Sequence, residues 1–395
     1  MRIHSMDAMR GIAILGILFM NIPFHVNMLT GYSHFDPPLL GDQIISIVQA
    51  IFADGRFRTL FCLLFGAGLA VQYEQCQRLN RDPKLFIKTR LNWLLLFGFL
   101  HALFVFGGDV LMFYALCGLF VRSRLEFDND KLLRSCKRFI IGGCIVVVMI
   151  FALLLIISGP EDYIIRGTEN WQEQVDLWNS SYLAQILAQS GLALSFLLAT
   201  PVSILWLTLG TMMLGAWLYR TGFFINGFYS EIFRVVTVGG IFLTLASVIP
   251  LVFDSVVLEH YISILAAIAA LFMALTYAHL IVRWKPENSW LYRTLCNCGR
   301  MAFSLYLLQS LCMALLFRSL LPLVYPQFEA TVTRTDLFII AVLFTGIQMV
   351  VANFVVNRFG TGPFEKLWRY CYLRSFNKKS AKAALTTVDE PPLAK

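Results

Sequence analysis

The sequence predicts an all-α protein, a polytopic transmembrane helical bundle of about ten spans with both termini on the cytoplasmic side. Three observations predict it. Of 395 residues, 58% are apolar and only 14% charged, and the mean hydropathy is +0.69. Apolar runs recur almost end to end, and a spanning helix needs roughly 20 mostly apolar residues because lipid offers its backbone no hydrogen-bond partner. Finally, the Lys and Arg residues behind the net charge of +8 cluster in alternate connecting segments. That placement orients a chain in a membrane, and nothing in it supports nucleic-acid binding.

The predicted spans are 9–28, 57–75, 91–106, 109–122, 139–158, 192–219, 235–253, 260–282, 302–324 and 337–356. The first follows Arg10, ends in Asn21-Ile22-Pro23 and lacks a small-residue cleavage site, so it reads as a span rather than a signal peptide. The stretch 43–54 is apolar but too short to cross and reads as a re-entrant or interfacial helix; 109–122 is also short. Arg78, Arg81, Lys84, Lys88 and Arg90 follow the second span, Arg122 to Arg138 carry the bases after the fourth, and Arg283, Lys285, Arg293 and Arg300 follow the eighth. The positive-inside rule puts these loops in the cytoplasm. The loop 159–191, with Glu161, Asp162, Glu169, Glu173 and Asp176 against Arg166, faces outward, as does 254–259.

The bundle therefore occupies 1–375, and 376–395 reads as a basic tail without regular structure, whose Lys378, Lys379 and Lys382 would touch anionic lipid. All nine cysteines fall within predicted spans or in or beside cytoplasmic loops, so no disulfide framework is expected. The expected location is a bacterial inner membrane, crossed many times with both ends inside.

Polar groups at membrane depth are costly unless they face a cavity or a partner, which makes each a functional candidate. They are Arg10, Asn21, His25, Arg56, Arg58, His101, Asp109, His279, Tyr306, Gln309, Asn353 and Asn357. Arg90 and His101 lie within about 20° of one helix face and some 16 Å apart along it, and an elongated anion would contact both. Arg10 and Asn21 repeat that spacing on the first span, and His25 follows one turn later, beyond the break at Pro23. The structural alternatives are snorkelling for Arg10 and Arg90, an interfacial place for His25 and His34, and a helix-to-helix hydrogen bond for His101. Gly66, Ala67 and Gly68 read as a close-packing surface. No Gly-x-Ser-x-Gly elbow, His-Glu-x-x-His pair or other metal-ligand spacing occurs.

Five ordered blocks carry a family resemblance. They are Met6 to Leu18 (MDAMRGIAILGIL) with Asn21; Phe57 to Gly68 (FRTLFCLLFGAG); Leu96 to His101 with Gly108-Asp109-Val110-Leu111 and Tyr114; Gly299 to Ser310 (GRMAFSLYLLQS); and Gly362 to Arg369 (GPFEKLWR). Together they resemble the YeiB-like membrane proteins over nearly the whole chain. Cys62 and Val110 stand where that pattern has Ser and Ile, and Phe303-Ser304-Leu305 replaces a Leu-Thr-Asn-like stretch. The opening Asp-x-x-Arg-Gly segment and its Asn are also similar to the start of heparan-α-glucosaminide N-acetyltransferase and, more distantly, of the acyltransferase-3 membrane enzymes.

What the resemblance implies is acyl transfer: an acyl group, chiefly acetyl, passes from cytosolic acyl-CoA as co-substrate to a periplasmic or envelope acceptor such as a sugar, with a His as base and no metal. The expected catalytic residues are His101, His34, Asn21 and Asp109, and the expected acyl-CoA contacts are Arg10, Arg58, Arg90, Tyr306 and Gln309. The base stays open, because the lysosomal enzyme's His lies after the first span, where this chain has His25 and His34, whereas His101 belongs to the YeiB-like pattern. The rival expectation is a small-solute or proton-coupled transporter with His101, Asp109 and the arginines along its pathway. Expected partners are membrane lipids, an envelope glycan or other small acceptor, and a second copy of the chain as a homodimer, with no nucleic acid.

Overall fold

Apolar runs fold here as helices whose ends are set by local chemistry, in a computed structural model that describes residues 3–157, 164–200, 204–252, 256–284 and 289–388. In order these are α1 His4–Val26, α2 Leu40–Phe52, α3 Arg56–Arg78, α4 Pro83–Phe104, α5 Val110–Val121, α6 Asn129–Ile157, α7 Glu169–Ser180, α8 Tyr182–Ala199 and α9 Leu205–Arg220. There follow α10 Phe223–Asn226, α11 Ser230–Val252, α12 Val256–Arg283, α13 Trp290–Arg300, α14 Ala302–Leu315, α15 Leu321–Val324, α16 Phe328–Thr331, α17 Arg334–Phe359 and α18 Pro363–Val388. A π-helical turn, Leu316–Leu320, joins α14 to α15, and no strand occurs among the described residues.

The helix starts follow from the sequence. Asp82 accepts the Lys84 and Leu85 N–H groups ahead of Pro83, Thr168 caps α7, Ser181 caps α8, and Thr333 with Asp336 forms a reciprocal capping box on α17. These bonds satisfy N–H groups that a helix end leaves open.

Among the described residues, six helical stretches are long and apolar enough to cross a bilayer: His4–Val26, Tyr182–Ala199, Ser230–Ile249, Ala266–Arg283, Ala302–Val324 and Arg334–Phe359. Their outer faces suit lipid. Leu187, Val235, Phe242, Leu343 and Phe354 are each more than 60% exposed, an apolar surface that water would not tolerate over such an area. The chain is thus an all-helical membrane protein.

Two boundaries differ from the sequence reading. Within the predicted run 192–219, α8 ends at Ala199 and α9 begins at Leu205, and 201–203 lie outside the described residues. Ser181 starts α8 ten residues before the predicted span. The segment 159–191, read as a loop, therefore contains α7 and the first half of α8. Its Glu161 and Asp162 lie outside the described residues, as do Asp254 and Lys285. At the C-terminus, α18 continues through Val388 where the sequence reading places an irregular tail from 376; residues 389–395 are outside the described set. The short stretch 43–54 forms α2, as its length implied.

Small residues bring the helices together. On α3, a Cβ at Gly66 would collide with the Met212 carbonyl of α9, and one at Gly215 of α9 would collide with the Leu63 carbonyl of α3. The same exchange joins α1 to α13, where Gly11 meets the Leu295 carbonyl and Gly299 meets that of Asp7. Between membrane helices, where no hydrophobic effect drives association, such close backbone approach maximises dispersion contact. The main core gathers α1, α3, α9 and their neighbours, and a second cluster of Leu18, Ile22, Val26, Phe317 and Phe328 closes the C-terminal end of α1. All nine cysteines are free thiols.

Candidate functional site

The site is built on the tight connection between α4 and α5. Gly98 of α4 has no Cβ because the Met112 backbone of α5 occupies that space. Asp109 caps α5: its Oδ1 accepts the Met112 N–H at 2.7 Å. Its other oxygen, Oδ2, lies 2.7 Å from Nδ1 of His101, one turn before the end of α4. Both side chains are buried, at 4% exposure each. A carboxylate accepts, so Nδ1 carries the proton and Nε2 is left as the basic nitrogen. Nε2 is buried and has no protein partner.

Tyr306 of α14 closes this arrangement. Its ring centroid lies 5.1 Å from that of His101, and its hydroxyl accepts the Val110 N–H at 3.3 Å. Gln309 is fully buried one turn on; its Oε1 accepts from Gln348, while its Nε2 has no protein acceptor. On the far side of Phe106 lies His25, stacked on that ring at 4.1 Å, fully buried, with neither ring nitrogen hydrogen-bonded. Gln189 of α8 accepts the Gly107 N–H at 3.0 Å and keeps an unpartnered buried Nε2. The π turn carries Arg318, whose guanidinium stacks 4.9 Å over Trp178 and has two buried, unpartnered nitrogens. Buried polar atoms without partners are rare in native proteins, so this concentration around His101 marks a place prepared for something polar.

Two cavities converge on that layer. The first, about 670 Å³, is lined by Arg10, Arg81, Arg90, Arg300 and Arg369 and reaches inward to Val110 and Tyr306. Arg10 pairs with Asp7 at 3.0 Å. Arg90 is gripped by α18, lying 4.3 Å over Trp368 and 5.8 Å from Tyr372, while Trp368 donates its indole N–H to the Arg90 carbonyl at 3.2 Å. Glu365 of α18 accepts the Phe303 and Ser304 N–H groups at the start of α14, at 2.8 and 3.0 Å, and also the Ser304 hydroxyl. Burial raises its carboxyl above the ordinary value despite those donors. The second cavity, about 390 Å³, is lined by Asn21, Arg58, Asp109 and Tyr114 among mainly apolar side chains.

The structure thus brings together His101, Asp109, Tyr306 and Gln309, with Arg10 and Arg90 on one cavity and Asn21 and Arg58 on the other. Two expectations change. His34 is exposed in the segment before α2, 3.5 Å from an Arg334 nitrogen, and lines a separate small pocket of about 30 Å³. α1 continues through Pro23 to Val26 without ending there, and the segment after it carries His34 to the start of α17. Arg58 sits in the apolar cavity rather than beside Arg10 and Arg90. Several other polar residues at depth have structural partners: Arg56 donates to the Asp54 carbonyl and Thr244, His279 accepts the Phe228 N–H, and Asn353 joins Thr294 and Asn297.

Sequence reasoning passed over Arg318 and Gln189. An arginine inside the apolar run 302–324 was itself the signal for the first; Gln189 lay in what read as a loop. It also missed Arg300 and Arg369 as cavity residues, although both stand inside the family blocks.

Residues 218–375 match the family model described as "Protein of unknown function (DUF418)". The protein YeiB of Escherichia coli (strain K12) is 28% identical over 407 residues, covering 96% of this chain and 98% of that protein. YxaH of Bacillus subtilis (strain 168) is 25% identical over 396 residues, covering 93% of each. No solved structure matches. The chain is thus similar nearly end to end to YeiB and YxaH, and in its C-terminal part to the DUF418 family model.

Proposed function

We propose that this protein is a membrane acyltransferase that takes an acyl group from acyl-CoA at its cytoplasmic end and passes it to an acceptor at the envelope side. In this reading it crosses a bacterial inner membrane ten times, with both termini inside. The observation that carries it is the 670 Å³ cavity with arginines Arg10, Arg81, Arg90, Arg300 and Arg369 along its wall, which ends at Tyr306, beside a histidine already oriented by a carboxylate.

The fit to acyl-CoA is chemical. Guanidinium groups suit phosphate geometry, and the cavity lies within the ~300–1,000 Å³ of small-molecule sites. Acyl-CoA supplies an activated thioester. His101 Nε2 removes the proton from an acceptor hydroxyl or amine as its oxygen or nitrogen bonds to the acyl carbon. The carbon–sulfur bond breaks, and the thiolate leaves with the proton that His101 returns. Asp109 holds the imidazole and offsets the positive charge that develops on it, and Tyr306 is placed to donate to the oxygen that becomes negative. Such a base contributes typically ~10²–10⁴-fold.

Isothermal calorimetry of acetyl-CoA on the detergent-purified protein tests this, with Arg90→Ala beside the wild type and with labelled acetyl groups offered to an amino-sugar acceptor. Saturable binding is expected. Arg90→Ala should weaken it by roughly tenfold or more, the scale of one charge-assisted hydrogen bond at about 1.5–3 kcal/mol. Absence of binding to a folded protein would overturn the acyltransferase and turn attention to solute movement in vesicles.

A further inference from the structure

The second cavity has features that acyl-CoA does not need. It shares Ile17 and Val110 with the arginine-lined cavity but extends the other way, past Asn21, Phe24 and Met28 at the end of α1. Most of its wall is hydrocarbon, including Phe113, Leu207 and Leu271. Phe24 and Phe196, which also line it, are each 44% exposed. In a protein surrounded by lipid, a cavity whose lining side chains are also surface side chains opens sideways into the bilayer. At its polar end Arg58 is an exposed cation with no carboxylate in ion-pair range among the described residues. Thr59, Thr208 and Thr211 add hydroxyls.

A charge at that depth is costly, and an arginine held at the mouth of an apolar chamber matches a ligand with an anionic head and a long tail. We propose that this cavity binds a single-chain lipid with a phosphate head, which enters laterally from the bilayer. The phosphate meets the Arg58 guanidinium, assisted by the Asn21 amide, and the alkyl chain lies among Phe113, Leu207 and Leu271. Each methylene buried there loses no hydrophobic stabilisation relative to lipid, so the head contact determines selectivity. Asp109, the partner of His101, lines the same cavity. A bound amphiphile is therefore placed as the acceptor where acyl transfer occurs, but its binding does not depend on that reaction.

The test measures binding of tritiated 1-palmitoyl-lysophosphatidate to the full chain in maltoside micelles, without any CoA compound. One saturable site is expected. Unlabelled lysophosphatidate should displace the probe and neutral monopalmitoylglycerol should not. Arg58→Gln should weaken binding about tenfold, as loss of a charge-assisted contact does. Arg58→Lys should restore part of it, and Ala267→Phe, which fills the chamber, should remove it while the melting temperature stays near wild type. Uptake that only follows micelle concentration, equal displacement by the neutral lipid, or wild-type binding by both Arg58→Gln and Ala267→Phe would each overturn the proposal. Failure of acetyl transfer with lipid binding intact would count against the enzyme reading alone.

Discussion

Asp109 performs two tasks with two oxygens, and they can be separated by substitution. Oδ1 caps α5 through the Met112 N–H, and Oδ2 fixes the His101 tautomer. In Asp109→Asn the amide oxygen can keep the cap, while the amide nitrogen must donate to Nδ1 and so moves the imidazole proton to Nε2. The base is then lost although the helix start survives. Acetyl transfer should fall by about 10²-fold or more while thermal unfolding in detergent shifts little. Asp109→Ala loses both, and removal of an N-cap costs about 1 kcal/mol, so its melting temperature should also drop. Equal transfer by Asn and wild type would remove His101 from the reaction. Both residues were legible in the sequence, because a histidine and an aspartate deep in apolar surroundings stand out. Their bond was not, since it depends on how tightly Gly98 lets α5 turn back onto α4. The place of His34 was not legible for the converse reason: nearness in sequence to the first span says nothing about where an irregular segment goes after Val26.

Among the elements, α3 was read correctly as a close-packing helix, and the structure separates its two glycines. Gly66 faces the Met212 carbonyl of α9, whereas a Cβ on Gly68 would meet nothing within 4 Å. Gly66→Ala should therefore force the helices apart and destabilise by about 1–3 kcal/mol, as overpacking does. Gly68→Ala should be neutral or stabilising by about 0.5–1 kcal/mol, because alanine restricts the unfolded chain and suits a helix interior. Melting temperatures of the two variants check this, and a shared response would mean that helix propensity, not the α3–α9 contact, governs both. Helices were legible because long apolar runs have only one way to satisfy their backbone in lipid. The early start of α8 was not, because Gln185, Gln189 and Ser190 dilute its apolar run. α18 was missed in part for a different reason: its charges read as solvated tail, while Trp368, Tyr372 and Phe376 pack it against α4.

For the whole molecule, the two cavities impose a direction. The arginine-lined one opens among the start of α1, the end of α3 and α18, and the apolar one lies at the end of α1 and the start of α3. Transfer between a cytosolic donor and an envelope acceptor requires those ends to face opposite compartments, with α18 inside. His34 and Lys379 are exposed and mark the two ends, since His34 lies beside Arg334 at the start of α17 and Lys379 follows its far end on α18. Cysteine placed at each position should react differently with a membrane-impermeant maleimide. His34→Cys should be labelled in intact spheroplasts, and Lys379→Cys only after the membrane is opened. The native thiols give a low background, because six of the nine are buried. Labelling of both sites from outside would place the arginines away from the cytosolic acyl-CoA pool. The donor cavity would then have no donor, however well its guanidinium groups suit phosphate.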